Sequence, residues 1–275
     1  MKGAFLSAVG GLFSVLLLGT ASLQGHQDPV GDVHPAVMVE NGRFSVYFRN
    51  NERAAEFRKV YRSSGKLAIP RHRVKETPDS GRRARRTEGG RSFSLDEECR
   101  NLIIRSGDEV SGKIALPWPG GKMPTRCRDY VVVGGWLVML GTLPHPDSPD
   151  QRTLLTLSFF DWQHPGPPKT LHLGEVATIY FSPTSSPLAP VGDRLALAWM
   201  GQPEGQEDRQ FCLTTVDASG QRLATRKLAD AYQWNTTISV AAIGSRLCIA
   251  WHDGEIYGPF RKAKIRTIFE DLPVE

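Results

Sequence analysis

Residues 64–70 read S-G-K-L-A-I-P, and residues 111–117 read S-G-K-I-A-L-P. A chain that spells nearly the same seven residues twice is assembled from units, and a period of roughly 20–50 residues marks solenoids, propellers or arrays. Ser219-Gly220-Gln221-Arg222-Leu223-Ala224 repeats the pattern once more. Glycines at 42, 90, 135, 192 and 244 each open an alternating apolar run, among them Gly192-Asp193-Arg194-Leu195-Ala196-Leu197-Ala198-Trp199 and Gly244-Ser245-Arg246-Leu247-Cys248-Ile249-Ala250-Trp251. Five units of one design follow, at approximately 34–70, 71–117, 127–173, 187–228 and 236–275.

Each unit has one grammar. A short apolar strand reaches a tight glycine turn, the alternating strand returns, a polar loop leads to a third strand, and a Ser-Gly turn precedes a fourth. Four short antiparallel strands per roughly 45 residues describe a β-propeller blade, whose inner strands are buried on both faces by the neighbouring blades. The fold class is therefore all-β and propeller-like, with about five four-stranded antiparallel blades. The Ser-Gly turns call for positive φ, and the Leu-Ala-Ile that follows fills one slot against the next blade. Three irregularities stand out: unit three replaces Ser-Gly with Trp162-Gln163-His164-Pro165-Gly166, the innermost strand of unit two falls in an arginine-rich stretch, and the last unit stops at Glu275 before a fourth strand. The ring is either open or closed by residues 22–33. Across residues 34–275 the chain resembles β-propeller repeat proteins in general and secreted sialidase-like domains in particular, without their Ser-x-Asp-x-Gly-x-Thr-Trp box. That resemblance implies glycan hydrolysis.

Residues 1–21 resemble a secretory signal peptide: Lys2, an apolar stretch from Ala4 to Gly19, and the small residues Gly19-Thr20-Ala21. The expected setting is secreted or periplasmic, with no transmembrane span in the mature chain. Net charge is +5, but eight basic residues against three acidic ones between Arg71 and Arg91 account for it. Specific nucleic-acid binding is not expected from one basic loop. Its core, Arg82, Arg83, Arg85 and Arg86, is a candidate polyanion site, a protease-sensitive loop or a solvated insertion.

In an up-and-down blade the second turns and the inter-blade links share one face, and here those segments are the long ones. This face is the expected ligand site. It offers Trp118, His145, Asp147, Tyr232, Trp234, His252, Asp253, Glu255 and Tyr257, together with Asp150, Glu204, Glu207 and Asp208. A glycosidase needs two carboxylates about 5–9 Å apart, and nothing in the sequence selects a pair. Histidine and cysteine spacing supports no metal site, no Gly-x-Ser-x-Gly elbow is present, and no cofactor is expected. The equivalent Trp199 and Trp251 read as blade core. Cys99 and Cys127 are candidates for a disulfide between neighbouring units, whereas Cys212 and Cys248 read as buried thiols. Asn235-Thr236-Thr237 fits a glycosylation acceptor in a eukaryotic pathway. The partner classes consistent with this pattern are a glycan or another extracytoplasmic protein. The sequence favours a binding module, with a glycan-active hydrolase as the alternative.

Overall fold

A computed structural model describes residues 32–50, 53–77, 86–118, 126–144, 153–176, 185–230, 237–253 and 263–272. These residues form five antiparallel up-and-down units, called sheets one to five below although a short strand pairing joins the third and fourth into one eight-stranded sheet, and no helix, so none of them belongs to a helix able to cross a membrane. Sheet one holds β1 (Asp32–Glu40), β2 (Arg43–Asn50), β3 (Ala55–Arg62) and β4 (Leu67–Val74). Sheet two holds β5 (Thr87–Glu88), β6 (Arg91–Leu95), β7 (Asn101–Ser106) and β8 (Glu109–Ala115). Sheet three comprises β9 (Arg126–Val133), β10 (Trp136–Pro144), β11 (Thr153–Asp161) and β12 (Lys169–Val176). Sheet four comprises β13 (Leu188–Val191), β14 (Arg194–Pro203), β15 (Gln210–Asp217) and β16 (Arg222–Asp230). Sheet five has three strands among the described residues, β17 (Ile238–Ile243), β18 (Arg246–Asp253) and β19 (Lys264–Asp271).

Burial follows from position within the sheet. The second strands carry continuous apolar runs and are buried through Phe44–Phe48, Leu137–Leu140, Leu195–Trp199 and Leu247–Ala250, while the outer β4, β8 and β16 are largely exposed. Shared apolar clusters join sheet two to three, three to four, four to five, and five back to one. Sheet one's other face buries Ala36, Met38 and Tyr47 against its own Val74. This graded burial around shared seams is the propeller-like, all-β arrangement expected from the repeats.

The turn glycines at 42, 90, 135, 192 and 244 all have positive φ, between 57° and 82°, as the tight corners require. The duplicated heptads, however, do not occupy equivalent places. Gly65 turns the corner between β3 and β4 with φ of 84°, but the corresponding corner in sheet two is Gly107, φ 61°. Gly112 instead lies inside β8 opposite Ile104, beside a register shift. Nor do the residues after Gly65 fill an inter-blade slot, because Leu67 and Ile69 are exposed on the outer strand. Unit three acquires its fourth strand without a Ser-Gly corner, and that strand runs to Val176, three residues beyond the expected boundary. The arginine-rich stretch leaves sheet two an inner strand of two residues, Thr87 and Glu88. Residues 22–31, invoked for closure, lie outside the described residues.

Candidate functional site

The starts of the inner strands come together on the end that carries the long connections. There a run of polar contacts passes through all five sheets in the order two, three, four, five, one. Arg86, just before β5, places its guanidinium 3.4 Å from the Asp129 carboxylate and 3.7 Å from the Tyr130 ring centroid. Asp129 is buried and also accepts a hydrogen bond from the Ser186 hydroxyl. The Ser186 carbonyl accepts from Val240 N–H at 2.7 Å, and Ser239 Oγ accepts from Val37 N–H at 2.9 Å. Ser185 donates to the Pro35 carbonyl. His34 Nδ1 lies 3.3 Å from Thr237 Oγ1, and burial, helped by the nearby Arg49 charge, pushes its imidazole below the ordinary histidine range. Burial of a carboxylate is tolerated here because charge and hydroxyl partners compensate it. The cluster satisfies itself, and it contributes one carboxylate rather than a pair.

A second feature of the same end is open. Between sheets four and five lies a pocket of about 300 Å³ lined by Met200, Phe211, Ala229, Asp230, Trp251, Asp253, Arg266, Thr267 and Ile268. Phe211 and Trp251 meet edge to face, with ring centroids 4.9 Å apart and planes at 61°. Asp253 Oδ2 accepts from Arg266 Nε at 2.7 Å, and Asp230 is paired with Lys227. The lining thus combines an aromatic and aliphatic wall with the Asp253–Arg266 ion pair and with Asp230, whose counter-ion Lys227 stands outside the lining. Its strands lead in sequence into residues 231–236 and 254–262.

Of the nine expected ligand residues, the pocket takes Asp253. Trp118 is half-buried against the sheet two and three core, and its indole N–H donates to the Cys99 carbonyl at 3.2 Å. His252 is fully buried and accepts the Thr237 N–H on Nδ1 at 3.2 Å, so it serves the interior rather than a ligand. His145, Asp147, Tyr232, Trp234, Glu255 and Tyr257 lie outside the described residues, as do Asp150, Arg82, Arg83 and Arg85. Arg86 is spent on Asp129 and Tyr130, which removes it from a free polyanion surface. Glu204, Glu207 and Asp208 are exposed, and Glu204 lies 3.6 Å from Arg222. Trp199 is core, only 2% exposed, and donates to Thr214 Oγ1 at 2.9 Å. Its counterpart Trp251 is partly exposed and lines the pocket, which corrects the reading of both as core. Among the described residues no group of three or more metal-ligating side chains gathers.

Asp129, Ser186, Asp230 and Arg266 were missed. A signal for the pocket existed: two residues beyond each equivalent tryptophan stand Gly201 and Asp253, a glycine in one unit and a carboxylate in the other.

No family model and no curated protein matches the chain. Solved structures similar to it include the catalytic domain of a GH62 alpha-L-arabinofuranosidase from Coprinopsis cinerea, at 11% identity and TM-score 0.36, covering 88% of this chain and 90% of that one. A GH43 beta-xylosidase/alpha-arabinofuranosidase from a compost microbial metagenome is similar at 10% identity and TM-score 0.35, covering 90% and 97%. A GH43_1 enzyme from Xanthomonas citri shows 12% identity and TM-score 0.31, covering 86% and 87%. Values this low leave the function to be read from the chain's own geometry.

Proposed function

We propose that the chain is an exported binding module whose pocket between sheets four and five holds an uncharged, polyhydroxylated ring, the chemistry of a sugar residue. The observation that carries this reading is the pocket's composition. A pyranose presents C–H faces that pack on aromatic walls and hydroxyls that accept from a guanidinium and donate to carboxylates. Asp253, Arg266 and Asp230 supply those hydrogen-bonding groups, and each carboxylate already has a cationic partner, Arg266 for Asp253 and Lys227 outside the lining for Asp230. Export is supported by the leader-like residues 1–21, and amino-terminal sequencing of the exported protein tests it.

Hydrolysis is the weaker reading. A general acid needs a desolvated carboxyl group. Asp230 is exposed, Asp253 is held by Arg266, and Asp129 is locked between Arg86 and Ser186.

A small ring of about 12 heavy atoms at roughly 0.3 kcal/mol per atom binds at about 2 mM, which is within reach of ligand-observed NMR. Neutral mono- and disaccharides are expected to show saturable contacts with the wild-type chain and none with Trp251→Ala. Absence of binding by every neutral saccharide, or release of product from chromogenic glycosides, would overturn the module.

A further inference from the structure

We propose that Cys99 and Cys127 form a redox-controlled clip between sheets two and three, closed by thiol–disulfide exchange with a small-molecule disulfide. The observation is independent of the pocket. Cys99 stands in the turn between β6 and β7, and Cys127 near the start of β9, so the two come from neighbouring sheets. Their side chains nevertheless come to one place: Cys127 and Trp118 pack on the same apolar core between the two sheets, and the Trp118 indole holds the Cys99 carbonyl at 3.2 Å.

The surroundings hold Cys99 in place. Its N–H donates to the Asp96 carbonyl at 2.9 Å, and its carbonyl accepts from the Trp118 indole at 3.2 Å. The Asp96 carboxylate accepts from the N–H groups of Arg100 and Asn101 at 2.7 and 3.1 Å, closing the turn around it. Cys99 adopts φ of 52°, a left-handed conformation uncommon for a side-chain-bearing residue and found where surroundings over-determine the backbone. Cys127, against the sheet two and three core, also points its thiol at the Asp129 carbonyl, 3.8 Å away. A thiol fixed beside a second thiol, both partly exposed, is the arrangement that exchange chemistry uses.

The two sulfurs are not equal. The neighbouring Cys127 thiol lowers Cys99 to about 7, while Cys99 and burial push Cys127 up. Cys99 is therefore the attacking sulfur. Its thiolate attacks one sulfur of an external disulfide and expels one thiolate, leaving a mixed disulfide on Cys99. Cys127 then loses its proton and attacks the Cys99 sulfur, expelling the second thiolate. Two protein thiols give up two electrons and two protons, and the external disulfide becomes two thiols. Cys212 and Cys248 provide an internal control. Each is fully buried, they belong to different apolar clusters, and burial raises both, Cys212 to about 11.

The test equilibrates the full chain in reduced and oxidised glutathione buffers, quenches it by alkylation and maps the peptides without reduction. Oxidation is expected to yield one product, two hydrogen masses lighter, with Cys99 linked to Cys127 and with Cys212 and Cys248 as free thiols. In reducing buffer Cys99 should alkylate at least about tenfold faster than the buried pair, its rate rising through pH of about 7. Cys127→Ser should stop at a glutathione adduct on Cys99. The oxidised wild type should melt at least about 4 °C higher than the reduced form. A stable glutathione adduct on wild-type Cys99 beside a free Cys127, or any linkage involving Cys212 or Cys248 in the folded chain, would overturn the clip. Because the principal readout is the wild-type protein, a poorly folding variant does not weaken the test.

Discussion

The seam between sheets three and four and the seam between sheets four and five are built from equivalent residues, yet one is shut and the other holds a pocket. Gly174 pairs with Leu155 in sheet three, and Ala229 pairs with Phe211 in sheet four, each next to a register shift between the third and fourth strands. Across each seam stands the tryptophan of the next sheet, Trp199 or Trp251, followed two positions later by Gly201 or Asp253. With glycine at both places β12 approaches β14 closely enough to pair with it at Gly174–Pro203 and Glu175–Gln202. A Cβ on Gly174 would meet the Gln202 carbonyl, and one on Gly201 the Glu175 carbonyl. With alanine and aspartate at those places β16 and β18 form no such pair, and the pocket lies between them. Two missing side chains decide whether a blade junction is a continuation of a sheet or a cavity.

Placing sheet five's residue in the closed seam should break it. Gly201→Asp forces a side chain toward the Glu175 carbonyl, Trp199 Cζ3 and Val176 Cγ1, the last two 2.8 Å from an added Cβ. The cost is expected to be about 4 kcal/mol or more in urea unfolding, the range of severe overpacking with loss of backbone pairing. An unchanged midpoint would show that the close approach is not required.

The two tryptophans sharpen the contrast. Trp199→Ala removes a buried ring and its hydrogen bond to Thr214, and should cost about 3–5 kcal/mol. Trp251→Ala removes a partly exposed ring and should cost roughly 1–2 kcal/mol, scaled to the smaller area it withdraws from water. Saccharide binding should follow the opposite order, lost in Trp251→Ala and retained in whatever fraction of Trp199→Ala remains folded. Equal stability costs would mean that Trp251 is core after all.

What the sequence disclosed, and what it hid, has a physical basis. Near-continuous apolar runs after the turn glycines at 42, 135, 192 and 244 report burial on both faces, and that pattern is local, so the strands and corners could be read directly. The duplicated heptad misled because resemblance along the chain carries no register. A shift inside β8 moves Gly112 from the corner to the strand interior, and Gly107 takes the corner instead. The end of the molecule that carries the long connections was legible, since antiparallel alternation places the second turns and the inter-sheet links together. Its chemistry was not. His252 and Arg86 have the types of ligand residues, but their partners, Thr237 and Asp129, come from distant positions in the chain and turn them inward. Asp129 drew no notice as a lone carboxylate in an apolar strand, and only assembly sets it between Arg86 and Ser186.

The smallest expected effect on stability tests the open seam most directly. Asp253→Gly recreates at the sheet five position the residue that sheet four carries at 201. It removes the pair with Arg266, whose side chain is 61% exposed, so the stability change should stay below about 1 kcal/mol. Binding should respond far more, since a hydroxyl held by a charged group contributes about 1.5–3 kcal/mol and its loss weakens the complex by roughly tenfold or more. Asp253→Asn, which keeps a hydrogen-bonding side chain in place, should fall between the two in a saccharide titration. If Asp253→Gly binds as tightly as the wild type, the pocket is a packing gap left by Ala229 rather than a site. If the double variant Ala229→Gly/Asp253→Gly gains stability while losing the ligand, glycine at these two positions is sufficient to zip the seam, and the cavity is maintained by the side chains that oppose it.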